Sequence, residues 1–182
     1  MSFMKIFTAI FMFVALLAVG TIQAKDQMKL GGELGIGVPT GEFGDVAGVG
    51  FGLTGHFHYY IQPNLIVGGT LGYYSFAGKE IDLAGWGKVD YPNSSIIPIM
   101  GLINYKFGTS GMIPFVGGEL GLVTWGMEGE STTEFGVNLL GGIEQAINQN
   151  LGWRATAKYN IVMTEGDNLT FFTVSGGIYF NL

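Results

Sequence analysis

At 182 residues the chain has room for one ordinary domain and no second one of useful size. Charged residues are 12% of it and hydrophobic ones 48%, with 32 glycines, a mix too apolar for a disordered chain and unlike a helical enzyme. No cysteine means no disulfide framework and no thiolate metal site, and a formal net charge of −6 disfavours nucleic-acid binding.

The first element lies at the N-terminus, where Lys5 precedes an apolar run, Ile6 to Val19, broken only by Thr8. The run is short for a membrane-spanning helix and has the layout of a secretory signal peptide, with cleavage favoured after Ala24 over a competing cut after Gly20. The predicted organisation is a signal peptide at 1–24 and one domain at 25–182, the alternative being an uncleaved anchor helix. Cleavage removes Lys5 and no acid, so the mature chain is more acidic still. No later segment approaches 18 consecutive apolar residues, so the remainder can cross a bilayer only as strands.

Period two then runs along the chain. Met28, Leu30, Gly32, Leu34, Ile36 and Val38 alternate with Gln27, Lys29, Gly31, Glu33, Gly35 and Gly37, which puts an apolar face against a polar or small one. Further strands are predicted at 49–61, 65–76, 95–107, 112–126 and 134–147. In the fourth of the eight, Ile96 to Ile103 is apolar on both phases; turning Asn104 and Lys106 inward sends Ile97, Ile99, Ile103, Tyr105 and Phe107 to lipid and makes Pro98 a bulge or irregular pairing. The seventh is the sharpest, with Trp153, Ala155, Ala157, Tyr159 and Ile161 interleaved with Arg154, Thr156, Lys158 and Asn160. The last alternates from Thr173 and Val174 to Asn181 and Leu182. Lipid outside and a polar lumen inside account for this pattern.

Three connections are short, at 62–64, 108–111 and 148–150, and four are long, at about 39–48, 77–94, 127–133 and 163–168. The predicted fold is therefore all-β: an eight-stranded antiparallel up-and-down transmembrane β-barrel preceded by a signal peptide, with its short turns and both mature termini in the periplasm. A weak repeat keeps the same phase: Gly31-Gly32-Glu33-Leu34, Gly68-Gly69-Thr70-Leu71 and Gly117-Gly118-Glu119-Leu120 each turn the leucine to lipid and the residue before it inward, and glycine pairs also precede Ile143 and Ile178. These glycines are expected to leave space where a narrow barrel curves and its interior crowds. Aromatic girdles are expected at both rims, from Tyr59, Tyr105, Trp153 and Phe180 on one side and Tyr73, Phe135, Tyr159 and Phe172 on the other.

From Lys25 to Leu182 the chain resembles the small outer-membrane β-barrel superfamily that includes OmpX, the OmpA transmembrane domain and the opacity-type proteins. The resemblance rests on the first hairpin, Gly37-Val38-Pro39-Thr40-Gly41-Glu42-Phe43-Gly44-Asp45, and on the terminal strand Gly177-Ile178-Tyr179-Phe180-Asn181-Leu182. It implies residence in a bacterial outer membrane, contact with outer-membrane lipid and lipopolysaccharide, and recognition of the last strand by the barrel-assembly machinery during insertion. Members typically end in an aromatic residue; here Leu182 is terminal and Phe180 lies two before it. Nothing resembling OmpA's peptidoglycan-binding domain follows, so no cell-wall tether is expected.

The functional residues are sought in the lumen, where Glu33, Glu119 and Glu144 should face inward with Lys29, Lys106, Arg154 and Lys158. An eight-stranded barrel is just wide enough for its side chains to fill, so these seven are expected to form a salt-bridged structural plug rather than line a wide channel. Glu144 and Arg154 flank the 148–150 turn symmetrically, so they should stand directly opposite and can form a charge-assisted pair, in single or bidentate geometry. His56 and His58 share the lumen side of the second strand, but no motif supplies a third metal ligand, and no cofactor is expected. Ser75, Ser94 and Ser95 are not tied to a histidine, so no catalytic residues are assigned. Ten of the fourteen acids, Glu42, Asp45, Glu80, Asp82, Asp90, Glu128, Glu130, Glu134, Glu165 and Asp167, lie in or beside the long connections against Lys79 and Lys88. They are either simply solvated or hold divalent cations or a basic partner. The expected function is a structural or surface-interaction barrel, with a small pore and a lipid-modifying enzyme as the alternatives; the extracellular partner is not named by the sequence.

Overall fold

The computed structural model describes residues 28–82, 88–127 and 130–182. The signal peptide expected at 1–24, and with it the domain boundary, lies outside the described residues. Ten strands follow one another: β1 (Met28–Thr40), β2 (Ala47–Gln62), β3 (Leu65–Gly78), β4 (Glu80–Asp82), β5 (Lys88–Asp90), β6 (Ser94–Lys106), β7 (Met112–Met127), β8 (Glu130–Ala146), β9 (Leu151–Met163) and β10 (Leu169–Asn181), with a short helix α1 (Glu42–Val46) between β1 and β2. Eight close into an antiparallel barrel in the order β1-β2-β3-β6-β7-β8-β9-β10, and β10 returns to β1 along a register from Lys29↔Asn181 to Thr40↔Thr170. Closure pairs both edges, so each of the eight barrel strands has a neighbour on either side.

The alternation read from the sequence decides which way each residue points. Leu34, Leu71, Leu120 and Leu139 stand outward at 58–70% exposure, whereas Glu33, Glu119 and Glu144 are buried in the interior. The eight barrel strands run from 13 to 17 residues, longer than the roughly 9–11 that a bilayer requires. The surplus lies at the end away from the chain termini. There β7 continues to Met127 and β8 begins at Glu130, so strand occupies 127 and 130–133 of the loop expected at 127–133; residues 128–129 lie outside the described residues. The connection at 77–94 contains a hairpin of its own, β4 against β5, with Glu80↔Asp90 and Asp82↔Lys88 paired.

Pro98 breaks pairing without shifting it. β6 pairs with β7 straight through Pro98↔Val123, but its ladder with β3 stops at Leu71↔Ile99 and resumes at Tyr74↔Ile96 in the same register. A residue with no N–H can sustain one neighbour and not the other. The register shifts lie in β2 instead, between Ala47 and Gly50 and between Tyr60 and Gln62.

The glycine pairs have a steric explanation. In each pair the inward glycine is crowded: a Cβ at Gly31 would run into the His56 imidazole, at Gly68 into the Phe57 carbonyl, at Gly117 into the Asn104 side chain, at Gly142 into the Ala155 carbonyl and at Gly177 into the Gly32 carbonyl. The outward member has room, because a Cβ at Gly32, Gly69, Gly118, Gly141 or Gly176 would find its nearest neighbour at 3.5–3.9 Å. The repeat therefore marks where the narrow interior tolerates no side chain at all.

Candidate functional site

The barrel interior falls into two halves. In the half nearer the short turns and the chain termini, the seven charged side chains foreseen in the sequence are all buried. Glu144, 1% exposed, receives Lys106 Nζ at 2.6 Å and Lys29 Nζ at 2.9 Å on Oε1. Arg154 stands directly opposite Glu144 in the β8–β9 register, yet its Nη1 is 3.5 Å from Glu144 Oε2 while its Nε is 3.0 Å from Glu33 Oε1. The expected Glu144–Arg154 ion pair is present, through one nitrogen at 3.5 Å and not as a bidentate pair. The register is as predicted, but lysines reaching across a narrow lumen occupy the Glu144 carboxylate, and the guanidinium turns along the barrel to Glu33.

These five groups are held by neutral neighbours. Glu33 also accepts from the Ser175 hydroxyl and, at 3.1 Å, from Thr156 Oγ1. The Arg154 guanidinium lies 3.8 Å over the Phe115 ring, Lys29 Nζ is 4.0 Å from the Tyr179 ring centroid, and Lys106 Nζ donates to the Tyr60 hydroxyl at 3.0 Å. Buried carboxylates and cations cost several kcal/mol each to desolvate, so each requires this number of partners. Glu119 and Lys158 form a separate pair, with Lys158 Nζ 2.8 Å and 2.9 Å from the two carboxylate oxygens and Asn138 Nδ2 donating at 2.7 Å. Sequence reasoning did not assign roles to Tyr60, Phe115, Asn138, Ser175 and Tyr179, although the inward parity of each was readable.

His56 and His58 stack between these groups with ring centroids 4.5 Å apart, and His56 Nδ1 is 3.6 Å from Glu33 Oε1. Among the described residues no three His, Asp or Glu side chains gather to hold a metal ion. The internal cavity bounded by Glu33, His56, His58, Glu119, Arg154 and Lys158 is about 10 Å³, the space of about one water molecule.

The other half of the lumen is apolar, which corrects the expectation of a polar lumen throughout. Tyr74, Phe76, Ile96, Met100, Val123, Val162 and Phe171 pack as one buried cluster. Phe43 from α1 closes it, its ring 5.2 Å from Phe76 and 6.5 Å from Phe171 in edge-to-face contact. Near the loops the alternation inverts: Phe76 and Ile96 point in while Ser75 and Ser95 point out, and that inversion was the signal in the sequence. Ser75 and Ser95 pair with each other on the outer wall, remote from the interior histidines.

At the loops, Glu42 and Asp167 share a hydrogen bond that pushes the Glu42 carboxyl above the usual glutamate range, with Asp167 and Asp45 adding like charge. Lys79 Nζ donates to the Gly44 carbonyl. Glu128 lies outside the described residues.

Residues 9–180 match the family described as outer membrane protein beta-barrel domain. The chain belongs to that outer-membrane β-barrel family. No curated protein matches it by sequence. Among solved structures, Neisserial surface protein A superposes with a TM-score of 0.65 at 18% identity, over 85% of this chain and 97% of that one. OprG from Pseudomonas aeruginosa gives 0.63 at 10% identity, over 88% and 98%, and AlkL in lipid bilayers gives 0.53 at 14%, over 90% and 94%. At these identities the likeness is one of fold.

Proposed function

We propose that this outer-membrane barrel is sealed and non-enzymatic, that its termini lie in the periplasm, and that it acts through its outer and extracellular surfaces rather than as a conduit. One observation carries the reading. In the lumen, buried ion-paired side chains surround a cavity of about 10 Å³, and beyond them lies a buried apolar cluster that includes Phe43. A conduit needs a continuous water column, and side chains that pair across a narrow lumen with an apolar cluster beyond them both oppose one. The orientation follows from the connections, because short turns in such barrels face the periplasm and longer loops the exterior. The seven charges then have a structural role, holding the wall from inside. Recording from the purified protein in planar bilayers tests this: the expected result is little or no conductance, and large, stable, well-resolved channels refute it.

A further inference from the structure

At the loop end β8 outruns its neighbour. It pairs with β7 along almost its whole length, from Met127↔Glu130 to Met112↔Gln145, whereas its ladder with β9 begins only at Phe135↔Met163. Past Met163 the chain turns away through residues 164–168, where Thr164 Oγ1 donates to the Asp167 carbonyl at 2.6 Å, and none of these residues pairs with β8. Glu130 to Glu134 therefore have one paired edge and one open edge. Glu130, Ser131, Thr132 and Thr133 are exposed and Glu134 is half-buried, so this stretch stands in solvent and not under another segment of the described chain.

An open edge presents alternate N–H and C=O groups without partners, which water tolerates and hydrocarbon does not. The stretch thus lies clear of the bilayer core, at the end away from the chain termini. Its five residues offer about 17 Å of ladder, the length of an ordinary short strand. Glu130, Thr132 and Glu134 share the parity of the buried Asn138 and Glu144 and face the barrel axis, while Ser131 and Thr133 face outward, Thr133 bonded to Thr124 at 2.8 Å. Two carboxylates four residues apart therefore flank one face of the open edge, and neither has an ion-pair partner among the described residues.

Those carboxylates decide the occupant. A second copy of this chain fits poorly: paired antiparallel about Thr132 it sets Glu130 against Glu134 at both ends, and paired parallel in register it sets each glutamate beside its own copy. We infer that the open edge of β8 is a docking site for an extended basic segment of a partner protein, added as a further strand with Lys or Arg residues four apart opposite Glu130 and Glu134. Its main chain completes the ladder, its cations meet the two carboxylates, and β-branched residues between them suit Thr132. The inference rests on the outer-surface reading above, but not on whether the lumen conducts.

The test uses the refolded protein in nanodiscs of phosphatidylcholine, whose surface carries no net charge to attract cations, and a labelled synthetic peptide, Ser-Thr-Lys-Thr-Val-Thr-Lys-Thr-Ser, followed by fluorescence anisotropy. Two controls accompany it: the same peptide with its five central amides N-methylated, which keeps both charges and removes the ladder, and the same peptide with Glu in place of both Lys. Wild type should bind the parent peptide about tenfold more tightly than either control. Hydrogen exchange at the amides of residues 130–134 should slow when it binds. The E130K/E134K variant, its folding checked by heat-modifiable gel migration, should prefer the acidic peptide by about tenfold instead. Equal binding of the parent and N-methylated peptides overturns the added strand, because charge alone would then account for the contact. An unchanged preference in E130K/E134K, slowed exchange only at other amides, or no binding of the parent peptide overturns the site. Slowed exchange at residues 130–134 without peptide, growing with the number of barrels per disc, gives the edge to a second copy and also overturns the inference. Conductance of the same preparations separates failure of this inference from failure of the sealed-barrel reading.

Discussion

Replacing Glu144 by alanine removes the carboxylate on which Lys29, Lys106 and Arg154 converge. Breaking one buried ion pair leaves an uncompensated charge and costs about 3–5 kcal/mol, a large share of the roughly 5–15 kcal/mol that holds a small domain together. The geometry ranks the partners. Coulomb attraction falls by about a quarter between 2.6 Å, the Lys106 distance, and 3.5 Å, the Arg154 distance. Lys29 also makes a charge-assisted hydrogen bond to Glu144, whereas the nearest carboxylate of Arg154 belongs to Glu33. Double-mutant cycles on equilibrium unfolding from micelles or vesicles should therefore give a Glu144–Lys106 coupling of about 2 kcal/mol and a Glu144–Arg154 coupling below about 1 kcal/mol. The Glu33–Arg154 coupling should exceed the latter. A dominant Glu144–Arg154 term would mean that the interior packs differently, with the β8–β9 pair satisfied across its own hairpin. A neutral Glu144→Ala would mean that water screens the lumen and that the plug reasoning fails.

Gly68→Ala should destabilise the barrel by about 1–3 kcal/mol because its Cβ meets the Phe57 carbonyl, while Gly69→Ala, one residue away and outward, should change the unfolding midpoint little; equal effects would remove the steric account of the glycine pairs. Phe43→Ala should cost about 3 kcal/mol by emptying the apolar cap, read as a lowered transition in heat-modifiable gel migration, with no new conductance because the charged layer remains. Glu42 has its carboxyl raised by the shared hydrogen bond with Asp167, so the contact between the two loops is present at acid pH and is lost as pH rises through and above the ordinary glutamate range. Limited proteolysis of the loops should accelerate over that rise in wild type and show no such step in Glu42→Gln; a step of the same size in the variant would exclude Glu42 as its source.

Barrel, register and side-chain facing were legible because all three hang on one variable, the parity of each position. Once Arg154 and Lys158 are inward, Trp153 and Tyr159 are outward, and a turn at 148–150 places Glu144 opposite Arg154 without further assumption. What parity does not carry is reach. Arg154 and Lys106 have long side chains that select partners from strands far away in the sequence, and whether a guanidinium binds across its own hairpin or along the barrel depends on who else arrives at the same carboxylate. Parity also carries no information about which solvent an inward face meets. Phe76, Ile96 and Phe171 were readable as inward, but the premise that inward means polar holds only where the lumen must satisfy charges already committed to it. Near the loops the bilayer ends, outward positions meet water or headgroups, and the apolar side chains have their dry environment inside instead. The point along each strand where polar residues change from the inner to the outer face is therefore a depth marker, and in this chain it falls between Leu71 and Ser75 on β3 and between Ile99 and Ser95 on β6. A charged residue placed outward at Leu71 or Ile99 should accordingly impair insertion, whereas the same residue at Ser75 or Ser95 should be tolerated; folding yields into vesicles for Leu71→Lys and Ser75→Lys measure the difference, and equal yields would place the boundary elsewhere.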